Sequence, residues 1–353
     1  MNIKDIETPA LLIDLNIMKK NSDTMMSAIN NSKAKLRPHF KSHKCTERAK
    51  FQLDNGAKGV TVAKLSEAEV VANSLSCDIL IANQIVEQSK LDRLAKLCKN
   101  HKITICVDNE NNVLDLERAM ANENSFIDIL IEFEIGMQRC GVVSHQEFYN
   151  LYLTISKCPH LKFKGIQAYA GHNSHETDAN KRLRIIEENN TKLINLISFL
   201  KDRNVEIEII SGASTGTADL KMNQGIYNEI QAGSYLLLDD CYNKLGLNLE
   251  NSLFVLSTVV SSKENLIVID AGVKTVGIDQ GLPSIANLTF KDIVASEEHF
   301  QIHNPNRPIN IGEKLKLIPG HCCSTMNLHD SVYLVSGNEV IKKVSIDGRG
   351  FGK

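Results

Sequence analysis

The chain has 353 residues, 42% hydrophobic and 23% charged, with a formal net charge of −2 and a sequence pI near 6.6. That is the balance of an ordinary globular protein, and it excludes the strong positive field that non-specific nucleic-acid binding requires. No apolar run approaches the roughly 20 residues of a membrane helix, and the length fits one large domain with a smaller one.

The opening MNIKDIETPALLIDL lacks a basic segment followed by an apolar core, so no secretion signal is expected and the expected location is the cytoplasm. Nine cysteines are scattered along the chain without a CxxC pair. A disulfide framework is therefore not expected, and most of these thiols read as small buried hydrophobes.

Short apolar runs rich in β-branched residues then recur in order: 34–41 (AKLRPHFK), 59–64 (GVTVAK), 78–83 (DILIAN) and 103–108 (ITICVD). They continue at 127–134 (IDILIEFE), 163–171 (FKGIQAYAG), 205–214 (VEIEIISGAS) and 228–238 (NEIQAGSYLLL). The stretches between, such as SEAEVVANSL and KRLRIIEENNTKLINLISFLKDR, space their apolar residues as helices do. Strands apolar on both faces and alternating with helices indicate a parallel sheet. Eight such units over about 240 residues match a closed (β/α)8 barrel of the TIM type, which takes ~250. An open doubly wound sheet is the runner-up, but no GxGxxG follows an early strand.

Past residue 245 the runs SLFVLSTVVSS, NLIVIDAG, EKLKLIPG, DSVYLVSG and EVIKKVSI read as strands joined by turns, with SGNE as a hairpin turn. The expected organisation is α/β: a barrel over 8–245, then a smaller C-terminal all-β domain over 246–353, to which 1–7 are a candidate addition.

Barrels of this kind build their sites from the C-terminal ends of the strands and the loops after them. RPHFKSHK places Lys41 at the close of the first strand. A partly desolvated amine there is a nucleophile towards aldehydes, and a solvated basic loop is the alternative. SGASTGT (211–217) and QAGSY (231–235) supply small residues, hydroxyls and backbone N–H groups able to cradle a phosphate, or simply flexible loops. GMQRCGV sets Arg139 in a Gly-bounded loop, either facing an anionic ligand oxygen or at the surface. In PGHCCSTMNLHD, His321 and Cys323 alternate along an expected extended chain, so both fall on one face. Imidazole with thiolate suits zinc; a buried histidine beside an inert cysteine is the competing reading. Cys322 points the other way. His172 and His175 near the barrel mouth are either proton-transfer groups or solvated loop residues.

Taken in order, TPALLIDL, RPHFKSHK, GAKGVTVAKLSEAEV, GMQRCGV, IQAYAG, GASTGT, YNEIQAGSYLLLDDCY, VIDAGVKT and GHCCSTMNLHD resemble the fold-type III pyridoxal-phosphate enzymes. These have an alanine racemase-like N-terminal domain, and within them the chain is most similar to the D-threonine aldolase / D-serine dehydratase group. The resemblance covers residues 8–330 and implies a role for each matching position. Lys41 holds pyridoxal 5'-phosphate as a Schiff base, Tyr169 lies against the cofactor, and Arg139 stands near its phenolic oxygen. Ser214, Thr215, Gly216, Gly233 and Ser234 match the phosphate-binding turns. Gln231 stands where alanine racemases carry an Arg facing the pyridine nitrogen, and a neutral partner there is expected to leave that nitrogen less charged. His321 and Cys323 match the pair that holds a divalent metal, zinc or manganese.

The resemblance implies a lyase for small D-amino acids bearing a β-hydroxyl. The leading expectation is a D-threonine aldolase, yielding glycine and acetaldehyde; the alternative is a D-serine dehydratase, yielding pyruvate and ammonia. D-threonine aldolases usually show His-Cys-Asp at the metal site. The His-Cys-Cys of this chain resembles the zinc-dependent dehydratases, whereas IQAYAG, GASTGT and EIQAGSY resemble the aldolases. A racemase would not need the metal pair, and non-catalytic pyridoxal-phosphate-binding proteins normally lack the β domain. The resemblance also implies a homodimer.

Overall fold

In the computed structural model, which describes Met1–Lys353, the opening strand β1 (Ala10–Asp14) precedes the helix Leu15–Asn30. Eight strands follow: β2 (Lys35–Leu36), β3 (Gly59–Val62), β4 (Asp78–Ile81), β5 (Ile103–Val107), β6 (Ile127–Glu132), β7 (Leu161–Ala168), β8 (Ile209–Gly212) and β9 (Glu229–Ile230). They form one sheet in the order β2-β9-β8-β7-β6-β5-β4-β3, every ladder parallel. A bridge between His39 and Thr61 joins the first strand to β3 and brings the ring to near closure. The (β/α)8 reading holds. Burial explains it: all five side chains of β5 are buried, because a parallel sheet covered by helices wets neither face.

Several of the helices are capped by their own sequence. Ser144 and Glu147 form a reciprocal capping box at the start of His145–Ile155. Asp178 accepts from the backbone N–H groups of Asn180 and Lys181 to begin Ala179–Lys201, which buries Ile186, Leu193, Leu196 and Leu200. Asn124, in the left-handed conformation, ends Glu110–Glu123.

One expectation about this barrel is corrected. The run 34–41 contributes only two ladder residues, and Lys41 does not close a strand. Pro38 has no N–H to give the ladder, so only its carbonyl pairs, accepting from Thr61 N at 2.9 Å. The chain then turns through a 3₁₀ segment, Phe40–Ser42, which carries Lys41.

The remaining strands are β10 (Leu253–Lys263), β11 (Leu266–Ile269), β12 (Ser284–Ile285), β13 (Asp292–Ala295), β14 (Phe300–His303), β15 (Lys314–Ile318), β16 (Ser331–Ser336) and β17 (Glu339–Ser345). Their sheet runs β13-β14-β11-β10-β1-β16-β17, with β15 pairing β10 and β12. β1 lies inside it, antiparallel to β10 and parallel to β16. SGNE forms the expected hairpin, Ser336 opposite Glu339, with Gly337 taking the positive φ of +60° that the turn needs. Strands β13 and β14 escaped the sequence reading because four-residue runs such as DIVA carry too little periodicity.

By internal contact the chain forms two units. One comprises Met1–Met25, Lys41–Arg48 and Ser234–Gly350; the other comprises Met26–Phe40, Ala49–Gly233 and Phe351–Lys353. No helix is long and apolar enough to cross a membrane.

Candidate active site

Within the unit that holds the β domain, four segments remote in sequence supply the groups of one cluster. His321 is the N-cap of the helix Cys322–Leu328, with extended φ and ψ of −146° and 118°. This corrects the expectation of an extended chain: Cys323 is the second helical residue, and the turn into the helix, not strand alternation, brings thiol and imidazole together. Cys322 is fully buried, and its backbone N–H donates to Asp239 Oδ2 at 2.9 Å. Ser234, in the 3₁₀ turn Ser234–Leu236, places its hydroxyl 3.7 Å from Cys323 Sγ.

The electrostatics set the two neighbouring thiols apart. Hydrogen bonding from Cys322, together with the hydrogen bond and charge of His321 and the charge of Lys41, overcomes burial and holds the Cys323 thiol well below its ordinary pKa. The same coupling drives Cys322 well up. For His321 burial acts downward, but bonds to Cys323 and Asp279 prevail and raise it to about 9. Nδ1 of His321 lies 2.6 Å from Asp279 Oδ2, while Asp279 Oδ1 accepts from Ser324 Oγ at 2.5 Å. A carboxylate on the far nitrogen is the usual means of orienting a metal-ligating imidazole. Asp279 was not foreseen; 42 residues separate it from His321, and GIDQ carries no signal of its own.

The barrel unit holds the other expected residues. The Arg139 guanidinium lies 5.7 Å from the centre of the Tyr169 ring and 4.0 Å from Glu132 Oε1. Burial pushes the Glu132 carboxyl up, against a hydrogen bond from Gln84 and the charge of Arg139. Ser211 to Ala218 are all buried. Ser214 Oγ accepts from Ser174 Oγ at 2.7 Å, and Ser214 and Thr217 cap one another. Gln231 Nε2 donates to Gln167 Oε1 at 2.6 Å and to Ser211 Oγ at 2.8 Å. Ser211 Oγ in turn donates to Glu229 Oε1 at 2.8 Å, and Glu229 pairs with Arg37 Nε at 2.9 Å. Gly216 and Gly233 are buried in the turns that carry Thr215 and Ser234.

Lys221 and Tyr227 were also missed: the lysine is fully buried, with Nζ 3.0 Å from the Tyr227 hydroxyl, in a segment, ADLKMNQG, that reads as solvated. His172 is exposed, and burial of part of its ring moves its pKa down despite Glu134. His175 is half-buried.

The donor sets fit a phosphate-bearing cofactor and a metal. Thr215 Oγ1 is buried with no hydrogen-bond partner, and such an orphan needs an acceptor. His321 and Cys323 offer zinc-type ligands. No group of three or more His, Cys, Asp and Glu side chains is arranged around a metal position.

Residues 13–240 match the family model for the alanine racemase N-terminal domain, and 252–335 match that for a putative serine dehydratase domain. The chain is 33% identical over 366 residues to a 3-hydroxy-D-aspartate aldolase of Paracoccus denitrificans (strain Pd 1222), covering 99% of this chain and 95% of that one. It is 33% identical over 358 residues to a D-threonine aldolase of an Arthrobacter species, covering 99% and 94%. The crystal structure of D-threonine aldolase from Filomicrobium marinum superposes with a TM-score of 0.95 at 32% identity, over 99% and 98% of the two chains. A mutant D-threo-3-hydroxyaspartate dehydratase, solved in a metal-free form, shares the fold with a TM-score of 0.87 at 22% identity over 98% of each chain. The ordered motifs, the barrel with its β domain and these matches lead to one conclusion: the chain belongs to the fold-type III pyridoxal-phosphate enzymes, in the D-threonine aldolase / D-serine dehydratase group.

Proposed function

We propose that this chain is a pyridoxal-phosphate- and metal-dependent lyase that breaks the Cα–Cβ bond of small D-amino acids carrying a β-hydroxyl, with D-threonine going to glycine and acetaldehyde. The observation that carries this reading is the convergence of Lys41, Ser234 and the His321–Cys323 pair within one unit, where the Lys41 charge acts on the Cys323 thiol.

Lys41 would hold the cofactor, Tyr169, Arg139 and Gln231 would border its ring, and Ser214, Thr215, Gly216, Gly233 and Ser234 would take its phosphate. Once bound, the cofactor supplies an electron sink for charge developing at the substrate's Cα. A divalent metal on His321 and Cys323 would supply a Lewis acid for the β-oxygen. Asp279 keeps His321 oriented through Nδ1, and Lys41 would be the base at hand for a proton on the substrate. The aldolase reading is supported by the two curated aldolases at 33% identity. Because one of these acts on a 3-hydroxy-D-aspartate, that compound belongs among the substrates to try.

Cys323 favours a second reading. A thiolate in place of the aldolases' carboxylate resembles the D-serine dehydratases, in which Lys41 would take the Cα proton while the β-hydroxyl leaves. The matching serine dehydratase domain over 252–335 supports keeping it. A barrel domain followed by a C-terminal β domain, with β1 in the sheet of the latter, is proposed on the same footing, as is a cytoplasmic location, for which all nine unpaired cysteines speak.

Product analysis of the zinc- or manganese-loaded holoenzyme with D-threonine, 3-hydroxy-D-aspartate and D-serine, and with their L-isomers as controls, tests this. Glycine with an aldehyde from the first two establishes the aldolase. Pyruvate from D-serine as the main product establishes the dehydratase. Neither product, with the cofactor still bound, refutes both.

A further inference from the structure

The hydrogen-bond directions around Gln231 decide what that side chain can offer a ligand. Glu229 is 2% exposed and lies 2.9 Å from Arg37 Nε and 3.5 Å from Lys58 Nζ. Between two cations it stands as a carboxylate, which accepts hydrogen bonds and donates none. Ser211 Oγ lies 2.8 Å from Glu229 Oε1, so its single hydrogen is committed there. The second 2.8 Å contact of Ser211 Oγ, with the Gln231 amide, therefore needs a donor from the glutamine, and that donor is Nε2. The other Nε2 hydrogen goes to Gln167 Oε1 at 2.6 Å. Both amide hydrogens are spent, and only Oε1 is left to meet anything brought to that face of the side chain.

Turning the amide over would press Oε1 against a hydroxyl with no hydrogen to give and against a second carbonyl oxygen. A buried polar atom left without a partner is costly, so the orientation is held from behind by Glu229, with the ion pair to Arg37 anchoring this chain of hydrogen bonds.

We infer that Gln231 presents only an acceptor to the cofactor's ring nitrogen, so that this nitrogen is held protonated, and that Glu229 and Ser211 are the positioning residues that impose it. This rests on the reading of Gln231 as the neighbour of that nitrogen. Residue type alone suggested a less charged nitrogen, because an amide is neutral and can face either way. The network removes that choice: a bare lone pair would meet the Oε1 lone pairs, whereas an N–H would be satisfied. A protonated ring is also the deeper electron sink for charge that develops at Cα.

The test is the ¹⁵N NMR signal of the holoenzyme loaded with pyridoxal phosphate labelled at the ring nitrogen. The wild type is expected at the pyridinium position. Gln231→Arg, a donor only, moves to the unprotonated pyridine position. Ser211→Ala leaves Glu229 paired with Arg37 but unpins the amide, so part of the pyridinium signal is lost, and Ser211→Thr restores it. A wild-type signal at the unprotonated position overturns the inference while leaving the cofactor reading intact. Full retention of the pyridinium signal in Ser211→Ala overturns the positioning role. A wild type that never gains the yellow absorbance of lysine-bound cofactor defeats both together.

Discussion

Lys221 is fully buried with no carboxylate beside it; its Nζ meets only the hydroxyl and the ring face of Tyr227, 3.0 Å and 4.4 Å away. Burial pushes its pKa down to about 7 from the ordinary 10.5. In the window between those values the unfolded chain holds a proton that the folded chain does not, so this lysine makes stability rise with pH there. Its cost is complete below pH 7, on the order of 3–5 kcal/mol. Lys221→Met should therefore stabilise the cofactor-free protein near pH ~6.5 and lose most of that advantage near pH ~9.5, as read by urea unfolding at both values; an advantage independent of pH would refute the assignment. On the proposed metal role of His321 and Cys323, Asp279→Ala is expected to weaken metal binding about 10–100-fold by releasing His321, measured by competitive metal titration. Cys323→Ala should abolish metal-dependent turnover altogether, and full activity without metal would remove Cys323 from its role.

Among the elements, the contact between β7 and β8 depends most on a single residue. Gly165 sits in β7 at φ +147°, and a Cβ there would stand 1.9 Å from Ile209 O; next to it the β6–β7 register shifts. Gly165→Ala is expected to cost at least ~2–3 kcal/mol through forced separation of the strands. Gly312→Ala, where a Cβ meets nothing within 4 Å and only φ +85° is strained, should cost about 1 kcal/mol. Thermal midpoints of the two variants, measured side by side, check the ranking. The sequence foretold all eight barrel strands because their apolar runs recur between stretches of helical spacing. It overextended the first, where Pro38 ends the ladder, and the eighth, whose run 228–238 pairs only at Glu229–Ile230 before a 3₁₀ turn, and it treated the segment at 321–323 as extended, because HCCS has no strong helical signal before the turn forms.

At the scale of the whole molecule, a homodimer is the assembly that the family resemblance implies. Light scattering of the holoenzyme should then return twice the chain mass of 39.2 kDa, and a stable monomer with full activity would refute it. Dilution to concentrations where the dimer dissociates should lower specific activity if the partner contributes to the site.

By itself the sequence determined the barrel, the β domain and the family, because periodicity, strand spacing and ordered motifs are local properties that survive without coordinates. It also marked Lys41, the turns at 214–216 and 233–234 and the His321–Cys323 pair as candidate chemistry. Only the tertiary structure decided which groups surround them: Asp279 on the far nitrogen of His321, the depressed thiol of Cys323 beside Lys41 rather than that of Cys322, and Glu229 acting through Ser211 on Gln231. These depend on hydrogen-bond direction and burial between segments far apart in the chain. No local pattern encodes them, because each arises only when folding brings a donor to an acceptor away from water.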